Sequence, residues 1–106
     1  MKKKQLIRIK FAEAVFKRDK HKCLFCDCTV DLDAHHVTDR NSIPNGGYVM
    51  ENGITLCPIH HMMAEKYHIS GGAEWEENMH PDDLYRLIGS SKELAFKASE
   101  RLATQL

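Results

Sequence analysis

Two short pairs of candidate ligands constrain the fold of this chain more than any other feature. Cys23 and Cys26 are separated by two residues, Cys57 and His60 are also separated by two, and about thirty residues lie between the pairs. A gap of two residues lets both members of a pair bend toward one ion, and thiolate and imidazole are ligands that zinc takes in closed tetrahedral sites. The spacing therefore predicts a structural zinc, which would make folding partly metal-dependent.

The four cysteines have other possible uses. In a secreted protein they could form two disulfides. However, the opening residues MKKKQLIRIKFAEAVFKRD place charges where a secretory signal needs an apolar segment. We therefore expect a cytoplasmic protein, in which metal ligation is favoured over disulfides. A redox Cys-x-x-Cys usually opens a helix in a thioredoxin-like pattern, which is missing here. The gap between Cys23 and Cys28 is less usual for a zinc site than the two-residue gap between Cys23 and Cys26. Cys28 could therefore replace Cys26 as a ligand or remain a free thiol.

Length and composition indicate a small globular chain. Its 106 residues correspond to one domain, or to one core with an appendage. Apolar residues make up 42% and charged residues 28%, so a core this small is only modestly stable and a metal would help it fold. No apolar run approaches the roughly 18 residues of a membrane span, so no membrane partner is expected.

The formal net charge is zero, but the charges are unevenly distributed. Residues 1–22 hold nine Lys and Arg against two acidic residues, whereas residues 23–106 hold six against thirteen. A basic arm on an acidic body could contact phosphates. A solvated helix face explains the same charges equally well.

Apolar periodicity and turn residues divide the chain into three parts. Residues 1–22 form a basic N-terminal part with a helix from Leu6 to about Lys17. Residues 23–68 form the core, which we expect to contain a strand over 29–37, a Pro- and Gly-containing loop, a second short strand within 48–57 that is interrupted at Asn52-Gly53, and a helix that starts at Pro58.

Residues 69–106 form a C-terminal helical extension. A short helix is expected over 82–88, ending before Gly89. A last helix opens with a capping box at Ser90 and continues to the C-terminus. No chemistry is recognisable in this extension, which could provide the surface for a homodimer or for a protein partner.

Adjacent histidines occur twice, as His35-His36 in DAHH and as His60-His61. Neighbouring residues on a strand or helix point in different directions, so the members of each pair need different sites. The order DAHH, ENGITLCP and HH, framed by the zinc pairs, resembles the HNH endonucleases, whose core is the ββα-metal fold. This resemblance covers about Lys17 to Glu65. It implies an α+β fold with a small ββα-metal core stapled by a structural zinc, flanked by N- and C-terminal helices.

The resemblance also implies a metal-dependent endonuclease, a hydrolase that cuts phosphodiester bonds in DNA and leaves a 5′-phosphate and a 3′-hydroxyl. By position, His35 and His61 match ligands of a catalytic divalent ion such as Mg²⁺. His36 matches the general base, and Asn52 matches the residue that fixes the loop holding that base. His60 stands where many relatives have Cys, and zinc accepts either. Small standalone members are frequent in phages and mobile elements, so an action in the host cytoplasm is the expected context.

The residue types suit this chemistry. Histidine titrates near neutrality, so unprotonated His36 can accept a proton from the attacking water, with its ring fixed by a backbone carbonyl across the Asn52 loop. Glu65 follows His61 by four residues on the same helix face and could be a third metal ligand or a solvated charge. His68 follows His61 by seven residues, roughly 10 Å farther along the helix, which favours a phosphate contact or a surface position.

Three further polar residues have candidate roles. Arg40 could clamp a phosphate. Asp33 and Asp39 could orient histidines, or could serve equally well in turns and at strand ends. The alternative to a nuclease is a zinc-stapled module that binds nucleic acid or protein without catalysis. The nuclease is favoured because all four motif positions, His35, His36, Asn52 and His61, are filled.

Overall fold

The computed structural model describes residues 2–105 and has an α+β architecture of helices and one two-stranded sheet. In chain order the elements are α1 (Lys3–Arg18), β1 (Asp33–His36), β2 (Gly53–Leu56), α2 (Pro58–Ile69), α3 (Pro81–Leu87) and α4 (Lys92–Arg101). Short 3₁₀ turns at Arg40–Ser42, Pro44–Gly47 and Met50–Asn52 form the connection between the strands, and Leu102–Gln105 follows α4. Among these residues no helix combines the length and the apolar character needed to cross a membrane.

The two strands are antiparallel, with Asp33 opposite Leu56 and His36 opposite Gly53. All four residues of β2 are buried, because helices pack against both sides of the sheet. Gly53 is required for the approach of α1, since a Cβ there would lie 2.4 Å from Val15 Cγ2. Only glycine permits so close a packing of helix on strand.

Arg18 and Asp19, at the end of α1, join the helix to the second strand. The Asp19 carboxylate is buried and accepts hydrogen bonds from the Arg18 guanidinium at 2.8 and 2.9 Å and from the Thr55 amide at 3.0 Å. The same guanidinium donates to the carbonyls of Met50 and Gly53, each at 2.6 Å. Arg18 is therefore a structural part of the basic arm and is not available to phosphates.

The C-terminal helices pack on the connection between the strands. Helix α4 buries its small residues there, and the carbonyl of Ser99 accepts a hydrogen bond from Asn45 Nδ2 at 2.9 Å. Ahead of α4, the Ser90 hydroxyl donates to the Glu51 carbonyl at 2.8 Å. The extension thus holds the long connection against the rest of the fold.

Both strands are shorter than the sequence predicted. The strand expected over 29–37 is limited to Asp33–His36, because Asp31 adopts a left-handed backbone conformation (φ 53°) that interrupts the extended chain before it. In the second expected strand, Met50–Asn52 forms a 3₁₀ turn in which the Asn52 amide donates to the Val49 carbonyl. The alternating pattern therefore overestimated the first strand, whereas the interruption expected at Asn52-Gly53 lies where this 3₁₀ turn meets the second strand.

The predicted capping box at Ser90 is wrong. Ser91 caps α4, and its hydroxyl accepts a hydrogen bond from the backbone amide three residues later at 3.1 Å. Ser90 is unavailable for this role because its hydroxyl is used by the connection between the strands. The last helix is also shorter than expected. It ends at Arg101 and is followed by the 3₁₀ turn Leu102–Gln105. Leu106 lies outside the described residues.

We predict that Asp19→Ala lowers the free energy of unfolding by about 2–4 kcal/mol, because the substitution leaves a partly buried guanidinium and the Thr55 amide without their partner. Chemical denaturation of the zinc-loaded protein measures this change. Glu13→Ala on the exposed face of α1 is the matched control and should shift stability by less than about 0.5 kcal/mol. Equal effects of the two substitutions would contradict the role given to Asp19.

Candidate functional site

Cys23, Cys26, Cys57 and His60 form a cluster that could hold a zinc ion. The Cys26 and Cys57 sulfurs lie 3.7 Å apart, and His60 Nδ1 lies 3.2 Å from the Cys57 sulfur and 3.8 Å from that of Cys23. In a zinc tetrahedron two sulfurs are about 3.8 Å apart, and a sulfur and an imidazole nitrogen about 3.6 Å. The donor types and their spacing therefore fit zinc.

Two local structures bring these four side chains together. In the first pair, Asp27 adopts a left-handed conformation (φ 61°), which lets its amide donate to the Cys23 carbonyl at 2.9 Å and closes the turn. In the second pair, Cys57 occupies the N-cap position of α2 and His60 lies in the first helical turn. Pro58 suits this first turn because its missing amide hydrogen is not needed there.

The thiols of the cluster influence one another's ionisation. Hydrogen bonds from the backbone and then the side chain of His60 lower the pKa of Cys57 to about 6. A backbone hydrogen bond from Cys28 lowers the pKa of Cys26, but desolvation and the neighbouring thiols outweigh it and raise this pKa to about 11. A bound zinc would offset the repulsion between neighbouring thiolates, since zinc binds cysteine as thiolate.

All four cysteines are free thiols. The 3.7 Å between the Cys26 and Cys57 sulfurs is far from the roughly 2.05 Å of a disulfide bond. The Cys28 side chain stays outside the cluster, and its sulfur lies 3.8 Å from the Val30 carbonyl oxygen. Cys28 instead contributes its backbone carbonyl, which accepts a hydrogen bond from the Cys23 amide.

A second group of ligand atoms lies between β1 and α2. His35, Glu65 and His68 each offer one atom to a group that could hold a metal ion, with all three atoms within 4.8 Å of one another. The His35 side chain is 1% exposed, and neither of its ring nitrogens has a hydrogen-bond partner among the described residues. Its Nδ1 lies 3.1 Å from Glu65 Oε1 without the direction of a hydrogen bond. Two such atoms, close but not bonded, are suited to share a cation.

His61 lies beside this group but is not a member of it, and His61 and His68 each have one nitrogen already oriented. The Asp33 carboxylate lies 3.1 Å from His61 Nδ1, while His61 Nε2 lies 3.3 Å from Glu65 Oε1. His68 Nε2 donates to the His36 carbonyl oxygen at 2.9 Å. A carboxylate or carbonyl that holds one nitrogen fixes the ring and leaves the other nitrogen free for a metal.

The charges in this group favour a cation. Burial lowers the pKa of His35, an effect only partly opposed by Glu65, so the imidazole is neutral. The close His35 ring lowers the pKa of Glu65 to about 2 against the effect of burial, so the carboxylate is ionised. Carboxylate oxygen and imidazole nitrogen together are a common donor set for divalent metals.

The position of His68 corrects the sequence argument, which put it roughly 10 Å beyond His61 along the helix. Its ring stacks on that of His35, with centroids 5.3 Å apart and planes at 22°. The His61 ring also contacts His35, at 5.1 Å and 69°. The helix positions were correctly counted, but His35 of β1 contacts both rings and brings them into one cluster.

His36 faces the opposite side of β1, toward α1. Its ring stacks on Phe11 at 4.8 Å and meets Tyr48 edge to face at 4.8 Å. The expected hydrogen bond from the His36 ring to a backbone carbonyl is not formed within residues 2–105, and aromatic packing holds the ring instead. Burial, with smaller effects of His35 and Arg40, lowers the pKa of His36 to about 4. The imidazole is therefore neutral at physiological pH.

Asn52 is fully buried and uses its whole hydrogen-bonding capacity. Its Oδ1 accepts from the Thr38 amide at 2.9 Å and from the Tyr85 hydroxyl at 2.8 Å. Its Nδ2 donates to the carbonyls of Thr38 at 3.1 Å and Gly47 at 3.2 Å. Asn52 thus joins the residues after β1 to those before β2, as expected of a residue that fixes this loop.

Several contacts around the candidate site were not identified from the sequence. Tyr48 and Phe11 enclose His36, and the Tyr48 hydroxyl raises the pKa of the exposed Arg40. Tyr85 lies in the extension where the sequence shows no recognisable chemistry, and its hydroxyl donates a hydrogen bond to Asn52 Oδ1. These residues are far apart in the sequence, so their contacts can be identified only in the folded structure.

Comparisons of this chain with protein-family models, with curated proteins and with solved structures give no match. The case for its function therefore depends on the arrangement of its own residues. Two groups of side chains that could hold metal ions share helix α2, and His36 lies immediately beside one of them along β1.

We predict that the purified chain contains about one zinc and that Cys57→Ser loses most of it, because Cys57 supplies one ligand in four. Cys28→Ser is the matched control, since its sulfur is outside the cluster, and it should retain the wild-type zinc content. Metal analysis by mass spectrometry measures the content, and circular dichroism should show that Cys57→Ser loses structure as zinc is lost. Equal zinc in the two variants would contradict the assigned cluster.

Proposed function

We propose that this chain is a metal-dependent endonuclease of the HNH type that hydrolyses phosphodiester bonds in DNA. The main observation in support is buried His35, whose unpartnered nitrogen lies 3.1 Å from the ionised Glu65 carboxylate and which directly precedes the neutral His36. A cation-binding pair and an imidazole able to accept a proton are the two components that such hydrolysis needs.

The order of elements agrees with this proposal. Strands β1 and β2 are antiparallel and are followed by α2, which is the order of a ββα-metal core. The Cys23, Cys26, Cys57 and His60 cluster would staple this core through a bound zinc. It would fix the first turn of α2, from which His61 begins the metal-binding face.

A divalent ion such as Mg²⁺ would be held by His35, Glu65 and His68, whose ligand atoms lie together, and His61, which lies outside that group but 3.3 Å from Glu65, would be a fourth ligand. When bound, the ion would neutralise charge on the phosphate and stabilise the leaving 3′ oxygen. Asp33 orients His61, and the His36 carbonyl orients His68. This set includes the two ligands that the sequence resemblance implied and adds two from the same helix.

His36 would act as the general base. Its Nε2 is fully buried without a partner among the described residues, which leaves Nδ1 as the nitrogen for the proposed proton transfer. Nδ1 would therefore take the proton of the attacking water, leaving a 5′-phosphate and a 3′-hydroxyl as products. Phe11 and Tyr48 hold the imidazole in place, and Asn52 fixes the chain that follows it.

Arg40 and Arg8 would contact the DNA backbone next to this base. The Arg8 guanidinium lies over the Tyr48 ring at 5.3 Å, and Arg40 interacts with the hydroxyl of the same tyrosine. Two guanidiniums therefore converge on the aromatic ring that packs against His36. Guanidinium binds phosphate strongly and can do so with two parallel hydrogen bonds.

We predict that zinc-loaded wild type with added Mg²⁺ or Mn²⁺ converts supercoiled plasmid to nicked or linear form. His36→Gln should slow this reaction by about 100-fold or more, because general base catalysis contributes roughly 10²–10⁴ in rate. His21→Asn is the matched control, since His21 is exposed, and asparagine tolerates its left-handed backbone (φ 55°). This control should cut at the wild-type rate.

The zinc content and thermal stability of each variant should equal those of wild type, which separates loss of the base from unfolding. If wild type holds zinc and binds DNA but cuts nothing with either metal, the nuclease proposal fails. The chain would then be a zinc-stapled binding module without catalysis.

The divalent site has its own test. Glu65→Gln removes the one anionic ligand and should weaken Mn²⁺ binding by about tenfold or more, since ligand charge strongly tunes affinity for hard cations. Titration calorimetry of the zinc-loaded protein measures this affinity. Glu77→Gln, which changes an exposed glutamate outside the site, should bind Mn²⁺ as wild type does. Unchanged binding in Glu65→Gln would exclude this site.

A further inference from the structure

A cavity of about 490 Å³ lies beside the His35, Glu65 and His68 group. Its walls come from the residues after β1, the end of α2 and the start of α3 and α4, and His68 lies in its lining. The volume is within the roughly 300–1,000 Å³ of sites that bind small molecules. The proposed hydrolytic chemistry uses none of this space.

Aromatic rings form one side of the cavity. Tyr67 and His80 line it and meet edge to face, with centroids 5.0 Å apart. Trp75 packs against the same His80 at 4.8 Å and is 47% exposed. Flat aromatic surfaces beside a cavity favour a flat ligand, and every nucleobase offers such a face.

The charges of the lining disfavour an anionic ligand and favour a neutral one that donates hydrogen bonds. Asp39 and Asp82 contribute two carboxylates, whereas Lys92 is the one Lys or Arg among the described residues that line the cavity. The Asp39 carboxylate accepts no hydrogen bond from the residues that the structure describes, although Asp39 is half-buried. It is therefore free to accept one from a ligand. The exocyclic amino groups of cytosine, adenine and guanine are donors of this kind, whereas thymine has no amino group and donates only through its ring N3–H.

We infer that this cavity receives an unpaired nucleobase carrying an exocyclic amino group, with Asp39 as the acceptor of that group and with Tyr67 and His80 against the ring. His68 belongs to both the cavity and the group that could hold a metal. The phosphate next to the bound base would therefore be the one that is cut, and this point rests on the proposed nuclease function.

This inference specifies the class of DNA that serves as substrate. A base in a regular duplex is stacked and paired, and its removal costs a few kcal/mol, least where the DNA is single-stranded or mismatched. The protein should therefore prefer single-stranded or locally unpaired DNA to a perfect duplex.

Binding of single-stranded hexamers tests the inference directly. Labelled dC6 and dT6 carry the same backbone charge, so a difference between their affinities reports on the base. Without added divalent ion, fluorescence polarisation should show wild type binding dC6 about tenfold more tightly than dT6, the order expected for one hydrogen bond to a charged group. Trp75, the one tryptophan of the chain, gives a second signal through quenching on binding.

Asp39→Asn should bind dC6 and dT6 with affinities that differ by less than about twofold, because the amide lacks the full charge of the acceptor. Asp31→Asn is the matched control, since Asp31 is exposed, lies outside the cavity lining and adopts a left-handed conformation that asparagine accepts. It should retain the wild-type preference. Zinc content confirms that both variants are folded.

Equal affinity of wild type for the two hexamers, or a dC6 preference that survives in Asp39→Asn, would overturn the inference. The plasmid experiment separates this result from failure of the proposed function. Cutting of plasmid without base preference would leave the nuclease standing and exclude the cavity. Base-selective binding without cutting would leave a nucleobase site in a protein that is not a nuclease.

Discussion

The buried amide of Asn52 holds together the parts of this fold that are distant in sequence. It bonds to both backbone groups of Thr38 after β1, to the Gly47 carbonyl in the connection, and to the Tyr85 hydroxyl in α3. A buried amide is costly unless its hydrogen bonds are made, and here both atoms make two. The position of Gly47 is set by the same contact, because a Cβ there would lie 2.6 Å from Asn52 Nδ2. The long connection between the strands therefore has a defined path.

This defined path allows the two faces of a four-residue strand to serve different purposes. His35 faces α2 and is surrounded by His61, His68 and Glu65, whereas His36 faces α1 and is enclosed by aromatic rings. Burial lowers the pKa of both histidines, so both are neutral. A neutral imidazole with free nitrogens is useful either as a ligand or as a base, and the face of the strand decides which groups it can reach.

The sequence identified the features that depend on short spacing. The Cys-x-x-Cys and Cys-x-x-His pairs do converge in one cluster, and the helix after Pro58 does begin there, because both depend on residues only a few positions apart. The sequence could not place His68 or Tyr85. His68 joins the cluster only because His35 of β1 packs against it, and Tyr85 reaches Asn52 only because α3 folds back across the loop. Such contacts depend on how elements pack, which periodicity does not contain.

The adjacent histidines of α2 show how the two candidate metal groups are coupled. His60 belongs to the cysteine cluster, and His61 contacts Glu65 one helical turn later. A zinc ion in the first cluster would fix the first turn of α2, and Glu65 follows on the same rigid helix. The helix would otherwise start at an end with unsatisfied backbone groups, which frays most easily. In a chain with so small a core, holding this end in place would set the geometry of the second group before any divalent ion arrives.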